Sequence, residues 1–275
     1  MASIKNYFLL NAALLTAFTV NARNFFVQQD TINQIADCFE NFFAKAEKIP
    51  SPEKTFIITK AGKTVSVTAF LKKEDMSQES QYGLADLDKD GKKELVIYNY
   101  SGGAHCCDQF FFFKNIAPQK FQLAATTFAG NVCINGNNEI VFSFYELFGY
   151  FFTCYACAYE NTSDVAPQPV AEIKLRYNKG KLSVTPGDRE LRSKVYDNLG
   201  KLGEQPYQKL ATEIDQDNGL RKEVAFNLAT YYFSFGKNIT ETRKLFDKYY
   251  KFPDAKKVWA EFFRILNFMK KDNSF

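Results

Sequence analysis

Histidine is almost absent from this sequence: His105 is the single histidine among 275 residues. A Ser-His-Asp triad would therefore have to use His105, and no Gly-x-Ser-x-Gly elbow accompanies it. The full phosphate-loop pattern Gly-x-x-x-x-Gly-Lys-Ser/Thr and the dinucleotide fingerprint Gly-x-Gly-x-x-Gly are also missing. The commonest catalytic chemistries are thus disfavoured. A glycosidase-like carboxylate pair stays open, because Asp and Glu number 31.

Long apolar runs are scarce, with one exception at the beginning of the chain. Lys5 precedes an apolar run from Tyr7 to Val20 that ends in Val20-Asn21-Ala22. A charged start, a short apolar core and a small-residue end are typical of a secretory signal, and the run is too short for a membrane span. We expect residues 1–22 to be a signal peptide. We then expect the mature chain to be soluble, without a membrane span, and to be a secreted or periplasmic bacterial protein.

Export would place the cysteines in an oxidising environment, where an even number favours disulfides. The six are Cys38, Cys106, Cys107, Cys133, Cys154 and Cys157. Adjacent residues of a strand point to opposite faces, and so do residues three apart, so neither Cys106 with Cys107 nor Cys154 with Cys157 is expected to pair internally. The preferred pairing ties Cys106 and Cys107 to Cys133 and to one of Cys154 or Cys157. Cys38 takes the remaining partner.

Cys154 and Cys157 also form a Cys-x-x-Cys sequence, which raises the question of redox chemistry. A thioredoxin-like pair needs its first cysteine at a helix N-terminus, and the aromatic, strand-like surroundings here disfavour it. A zinc site formed by Cys106, Cys107, Cys154 and Cys157 is disfavoured too, because adjacent cysteines lack the usual spacer.

The most informative segment is Asp86-Leu-Asp-Lys-Asp-Gly-Lys-Lys-Glu94, in which acidic residues recur at every second position around Gly91. Ca²⁺ takes six to eight oxygen ligands, and a tight turn can supply them. The expected ligands are the side chains of Asp86, Asp88, Asp90 and Glu94 and the backbone carbonyl of Lys92. The intervening lysines are expected to point to solvent. The sequence therefore predicts a calcium loop.

The residues after the loop indicate which type of calcium loop it is. A helix-loop-helix site needs a bidentate Glu at the twelfth position, which is Ile97 here, and the segment Leu95–Tyr100 is β-prone. The stretch from Tyr82 to Ile97 resembles the FG-GAP or VCBS-type repeat of integrin α-chains and many secreted bacterial proteins. Tyr82-Gly83 stands where that family has Phe-Gly.

That resemblance implies a calcium loop in a β-hairpin, with Asp86, Asp88, Asp90 and Glu94 as side-chain ligands. Two positions depart from the family pattern: Glu94 replaces an Asp, and the Gly-Ala-Pro end of the motif is replaced by Ser101–Cys107. The resemblance covers one repeat, about a tenth of the chain. A β-propeller needs several such repeats, and no second copy is found.

The remaining sequence predicts an α+β fold. Residues 23–185 should form a disulfide-stapled, mainly antiparallel β domain that begins with a helix at about 30–48. Residues 186–275 should form an all-α domain of four or five helices, because apolar residues there recur at helical spacing. Thr240 and Asp254 are the expected N-caps. The expected strands cover 55–59, 64–71, 95–100, 109–113, 121–127, 139–144, 150–159 and 170–176. Aromatic side chains on both faces of Phe110–Phe113 predict a strand that is covered on both sides.

Positive charge is concentrated near the C-terminus, where Lys237–Lys271 holds ten Lys or Arg against four Asp or Glu. These residues mostly lie on the solvated faces of amphipathic helices, and export argues against a nucleic-acid partner. The sequence favours a secreted calcium-binding module with an unidentified protein or glycan partner and Ca²⁺ in a structural role. The alternative is a secreted hydrolase that acts on envelope or glycan polymers through a carboxylate pair.

Overall fold

The computed structural model describes a large part of the chain. The described residues are 56–67, 69–70, 81–99, 108–134, 139–155, 157, 159, 170–210 and 217–275. The expected signal peptide, the helix at 30–48, the segment 101–107 and three of the six cysteines lie outside them. These predictions therefore stay predictions.

The larger of two sheets has six strands. They are β1 (Ile57–Lys60), β2 (Lys63–Ser66), β3 (Gln81–Ala85), β4 (Glu94–Asn99), β5 (Gln109–Ala117) and β6 (Lys120–Phe128). Their order is β2-β1-β6-β5-β4-β3. Neighbouring strands are antiparallel except for β1 and β6, which run parallel.

The smaller sheet has four antiparallel strands in the order β10-β9-β8-β7. They are β7 (Asn131–Ile134), β8 (Ile140–Ser143), β9 (Glu172–Asn178) and β10 (Lys181–Val184). The hairpin between β9 and β10 turns at Lys179 and Gly180, whose φ angles of 49° and 84° suit a tight two-residue turn. The mainly antiparallel α+β class is confirmed. Strands β3, β7 and β10 are not among the strands expected from the residue pattern, because short strands give a weak alternating signal. For β3, only the family resemblance implied a hairpin.

The phenylalanine run in β5 is buried on both faces of the sheet, as predicted. Phe110 and Phe112 belong to a large core that they share with the smaller sheet and the helices. Phe111 and Phe113 belong to a second, smaller core on the other face. All four side chains are at most 1% exposed, so this strand joins the two cores.

Five helices complete the described structure: α1 (Tyr145–Phe148), α2 (Arg189–Gly203), α3 (Leu220–Ser234), α4 (Ile239–Tyr249) and α5 (Ala255–Asp272). Four of them lie beyond residue 185, and among the described residues of 186–275 we find no strand. Their apolar faces belong to the same core as the smaller sheet. The described residues of 186–275 are helical, which matches the prediction of an all-α C-terminal domain in part, and these helices share one core with the smaller sheet.

The predicted helix caps differ from the observed ones. The N-cap of α4 is Asn238, whose side-chain oxygen accepts hydrogen bonds from Thr240 N–H and Glu241 N–H. Thr240 is therefore inside the helix, and its prediction as N-cap is wrong. Asp254 does stand at the N-cap of α5 but makes no capping hydrogen bond. Its Oδ2 instead accepts from Arg221 Nε at 2.8 Å.

The predicted strand at 150–159 is wrong, and so is the expectation that Cys154 and Cys157 do not pair. The described residues of this segment form turns and irregular backbone after α1. Cys157 N–H donates to the Cys154 carbonyl at 3.2 Å, and the two Cα atoms lie 5.1 Å apart. This turn brings the sulfurs together, and the disulfide forms. Cys133 is disulfide-bonded too, with a partner outside the described residues.

Candidate metal site

The acidic segment forms the loop that joins β3 to β4. These strands pair antiparallel, and the register ends with Ala85 opposite Glu94. Strand β4 lies between β3 and β5, and its Leu95, Val96 and Ile97 are fully buried. Residues 86–93 are therefore held at both ends by a hairpin whose second strand is fixed in the core.

Asp86 organises the turn through its carboxylate. Its Oδ1 accepts from Asp90 N–H at 3.0 Å, and its Oδ2 accepts from Gly91 N–H at 3.0 Å. Gly91 has a φ of 86°, in the left-handed region that glycine adopts without steric cost. The sharp bend expected at Gly91 is therefore observed, and the first carboxylate of the loop closes it.

Three of the predicted ligands converge. One carboxylate oxygen from each of Asp86, Asp88 and Glu94 lies within 4.8 Å of the other two. Oxygens that bind one Ca²⁺ at about 2.4 Å can be at most about 4.8 Å apart. The spacing of the three carboxylates therefore fits coordination of a single ion.

Glu94 is the buried member of this group and has an unusual electrostatic environment. Its side chain is 2% exposed, and its Oε2 accepts a hydrogen bond from Leu87 N–H at 3.0 Å. Burial raises the pKa of Glu94 to about 7, against the lowering effect of that hydrogen bond, and the carboxylates of Asp88 and Asp90 raise it further. Ionised Glu94 is thus costly here unless a cation offsets the charge.

Asp88 connects the loop to the smaller sheet. Its Oδ2 accepts from Lys179 N–H, in the β9–β10 turn, at 2.6 Å. Its Oδ1 is buried and has no hydrogen-bond partner among the described residues. A buried carboxylate oxygen without a partner is costly, and a cation would satisfy it.

Tyr177 is a second buried polar group next to the loop. This residue of β9 is 2% exposed, and its hydroxyl also lacks a hydrogen-bond partner within the described structure. Burial raises the pKa of Tyr177, and Glu94, Asp88 and Asp90 add to that rise, so the hydroxyl lies within their field. Two buried polar groups beside the loop, from different sheets, are thus left unsatisfied.

The other two predicted ligands are less directly involved. Asp90 is exposed and stands outside the converging group, and its Oδ1 accepts from Lys92 N–H at 2.8 Å. Lys92 is exposed too, and the role of its carbonyl stays a prediction. Lys89 and Lys93 are exposed, as expected for the intervening positions.

Tyr177 and Lys179 were not predicted to be parts of this site. Both come from the β9–β10 hairpin, about ninety residues further along the chain. The Asn178-Lys179-Gly180 turn was recognisable, but its position beside the loop depends on how the two sheets pack. An alternating strand that carries a tyrosine gives no local signal of this contact.

Comparisons with protein-family models, with curated proteins and with solved structures found no match to this chain. Within the described ranges, none of the helices combines the length and the apolar character needed to cross a bilayer.

Proposed function

We propose that this protein binds one Ca²⁺ in the β3–β4 loop and that the ion has a structural role in a secreted binding module. The observation that carries the proposal is the convergence of Asp86, Asp88 and Glu94 within 4.8 Å. The raised pKa of Glu94 and the unpartnered Asp88 Oδ1 support it, because a cation would relieve both.

The ion would act by fixing the loop between the two sheets. Asp88 already accepts a hydrogen bond from the β9–β10 turn through Oδ2, and one of its oxygens lies within 4.8 Å of an oxygen of Asp86 and of Glu94. A bound cation would neutralise the repulsion that now opposes this arrangement. Calcium would therefore hold both the β3–β4 hairpin and its contact with the smaller sheet.

Three carboxylates that each contribute one oxygen supply only three ligands, whereas Ca²⁺ takes six to eight. We infer that bidentate carboxylates, Asp90, the Lys92 carbonyl and water complete the coordination. An all-oxygen donor set of this charge suits a hard cation. The adaptable geometry of an exposed loop favours Ca²⁺ over Mg²⁺, which demands a near-ideal octahedron.

The secreted or periplasmic location and the protein or glycan partner belong to the same proposal. The signal-like residues 1–22 and the six cysteines support export. Extracellular calcium modules can bind weakly, with dissociation constants up to about 10⁻³ M, because their surroundings supply the ion. A loop of this type is consistent with such a location.

The hydrolase alternative needs a pair of carboxyl groups, and Asp108 and Glu146 are a candidate pair among the described residues. Asp108 and Glu146 are joined by a side-chain hydrogen bond, and Asp108 N–H also donates to Glu146 Oε2 at 3.2 Å. Glycosidases keep their two carboxyl groups about 5 Å or more apart, to leave room for the sugar or a water. Asp108 and Glu146 are closer than that, and we assign them no hydrolytic role.

Isothermal titration calorimetry of EDTA-treated protein tests the calcium proposal directly. We expect one binding event with CaCl₂ and at least tenfold weaker binding with MgCl₂. Asp88→Asn should abolish the calcium signal, whereas Asp197→Asn, at an exposed position of α2, should preserve it. Absence of heat from CaCl₂ in the unmodified protein, at millimolar concentration and two temperatures, would refute the proposal.

A further inference from the structure

The Cys154–Cys157 disulfide closes a very small ring at a partly exposed turn. Both cysteines are half-buried, and only two residues separate them. A cross-link stabilises a fold mainly by restricting the unfolded chain, and this effect is smallest for the shortest loops. The Cys154–Cys157 bond therefore contributes little to the stability of the fold. Cys133 differs, because its disulfide partner is neither Cys154 nor Cys157 and the ring that it closes is larger.

A buried lysine lies directly beneath this turn. Lys222, in the first turn of α3, is 2% exposed, and its Nζ donates to three backbone carbonyls. The acceptors are those of Cys157 at 2.6 Å, Cys154 at 3.2 Å and Tyr155 at 3.2 Å. An ammonium group is therefore in contact with the backbone of both cysteines.

A fixed positive charge at this position affects the reduced form of the pair more than the oxidised form. Reduction creates thiols, and a nearby cation stabilises the thiolate and lowers the thiol pKa. A dithiol that is stabilised in this way makes its disulfide a stronger oxidant. Burial lowers the pKa of Lys222 on balance, against the smaller raising effects of Glu223 and Asp217. The three carbonyl acceptors around Nζ match the three N–H donors of the ammonium form.

A cleft lies beside the turn. It has a volume of about 640 Å³ and is lined by Tyr150, Phe151 and Phe152, which immediately precede the turn, and by charged residues of α5 such as Lys257 and Arg264. The Tyr150 side chain is 61% exposed. The lining reaches Phe152, two residues before Cys154, and its aromatic and charged groups together suit an extended polypeptide segment.

We propose that Cys154–Cys157 is a redox-active disulfide that oxidises a pair of cysteines in another polypeptide. A substrate thiolate attacks one sulfur of the pair, the Cys154–Cys157 bond breaks, and its electron pair leaves with the other sulfur as a thiolate. The second substrate thiolate then attacks the substrate sulfur of the mixed disulfide. The substrate disulfide forms, and Cys154 and Cys157 are left reduced. Two electrons and two protons pass in total from the substrate dithiol to this pair.

Equilibration of the intact protein in glutathione buffers, followed by differential alkylation and mass spectrometry, tests the redox poise. The Cys133 disulfide serves as the internal standard. We expect Cys154–Cys157 to be half reduced at a ratio of GSH² to GSSG at least tenfold lower than the ratio that reduces Cys133. The proposal is overturned if Cys154–Cys157 resists reduction as well as, or better than, the Cys133 disulfide.

Variants then test the activity and the lysine. A synthetic peptide with two reduced cysteines should be oxidised by the protein, and the Cys154→Ser/Cys157→Ser double variant should be inactive. In the reduced protein, the pH dependence of alkylation should show a thiol whose pKa lies below the usual range. Lys222→Met should raise this pKa to the usual range and slow peptide oxidation about tenfold. Lys222→Arg, which keeps the charge, should stay within about threefold of the original rate. Equal oxidation by the original protein and the double cysteine variant overturns the proposal even if no Lys222 variant folds.

Discussion

Two regions of this molecule bury charged side chains, and they do so in opposite ways. At the end of the β3–β4 loop, burial raises the pKa of the Glu94 carboxyl, and the nearby like charges of Asp88 and Asp90 raise it further. At the beginning of α3, the buried guanidinium of Arg221 is paired with Asp217 at 2.7 Å and with Asp254 at 2.6 Å. Burial lowers the pKa of Arg221, but these carboxylates contribute to a net rise.

The two regions differ in whether other described groups of the protein compensate the buried charge. Arg221 is 2% exposed, yet it donates to two carboxylates and to the Gln208 carbonyl, so its charge is compensated locally. The loop groups like charges and leaves Asp88 Oδ1 and the Tyr177 hydroxyl without partners among the described residues. The first arrangement is a structural ion-pair network, and the second is the one for which we propose a bound cation.

The largest effect is expected when the α3 network is broken. Arg221→Met should lower the free energy of unfolding by about 3–5 kcal/mol, because it leaves two buried or part-buried carboxylates uncompensated. Urea unfolding measures this loss. Arg264→Met, in an exposed pair with Glu261, should cost less than about 1 kcal/mol. Similar losses in the two variants would contradict the distinction between a compensated buried charge and a surface pair.

Removing a buried charge at the loop should stabilise the protein, whereas removing Arg221 should destabilise it. In EDTA at pH 8, Glu94→Gln should raise the free energy of unfolding by roughly 2 kcal/mol, since it removes a carboxylate whose pKa is raised to about 7. The gain should shrink as the pH falls from about 7 and vanish below about 4.5, where Glu94 is protonated in both the folded and the unfolded chain. The same variant should lose its response to calcium. A destabilised Glu94→Gln protein in EDTA would show that ionised Glu94 is well compensated without metal.

Glu223, in α3, is a second carboxyl group whose pKa is raised. Burial raises the pKa of Glu223 to about 7, against the lowering effect of Lys222. The unfolded chain ionises near the ordinary value of 4.5, so protons are released on unfolding, and stability should fall as pH rises from about 4.5 to about 7. In millimolar Ca²⁺, Glu223→Gln should reduce this fall by about 2 kcal/mol in urea titrations. Asp197→Asn should leave the fall unchanged, and an identical slope in Glu223→Gln would count against the raised pKa.

The smallest effect is expected at Tyr177. Because its buried hydroxyl has no partner in the described structure, Tyr177→Phe should be neutral or stabilising by up to about 1 kcal/mol in EDTA. Tyr232→Phe, in α3, provides a matched buried tyrosine of the helical region. Thermal unfolding in EDTA measures both. A loss above about 1 kcal/mol in Tyr177→Phe would show that its hydroxyl has a stabilising partner.

Much of the fold was predictable where a local pattern was strong. The phenylalanine run, the long strands β4 to β6 and the helical spacing of Val258, Phe262 and Met269 all gave clear periodicities, and the core positions followed from them. The turn around Cys154 was not predictable in the same way. Its aromatic, β-prone residues suggested a strand, but they pack in a turn after α1, where the disulfide closes.

The candidate site was predictable only in part, for the same reason. Alternating acids around Gly91 identified Asp86, Asp88 and Glu94 from one short segment. The positions of Tyr177 and Lys179 beside this site depend on the packing of two sheets. At the separate disulfide turn, the position of Lys222 likewise depends on a contact between α3 and a distant part of the chain. Such contacts leave no trace in local spacing.

Thermal unfolding in EDTA and in 1 mM CaCl₂, for the original protein and for Asp88→Asn, tests the calcium site most directly. Binding to the folded state alone raises stability, by about 2.7 kcal/mol when the ion is at 100 times its dissociation constant. At this size, that corresponds to a rise of roughly 5–10 °C in the midpoint. In 1 mM CaCl₂ a dissociation constant of about 10 µM gives this full rise, and a constant of about 1 mM gives only about 0.4 kcal/mol. We therefore expect a rise of up to this size in the original protein and none in Asp88→Asn. Identical curves for the original protein in the two solutions would contradict a structural Ca²⁺ in the β3–β4 loop.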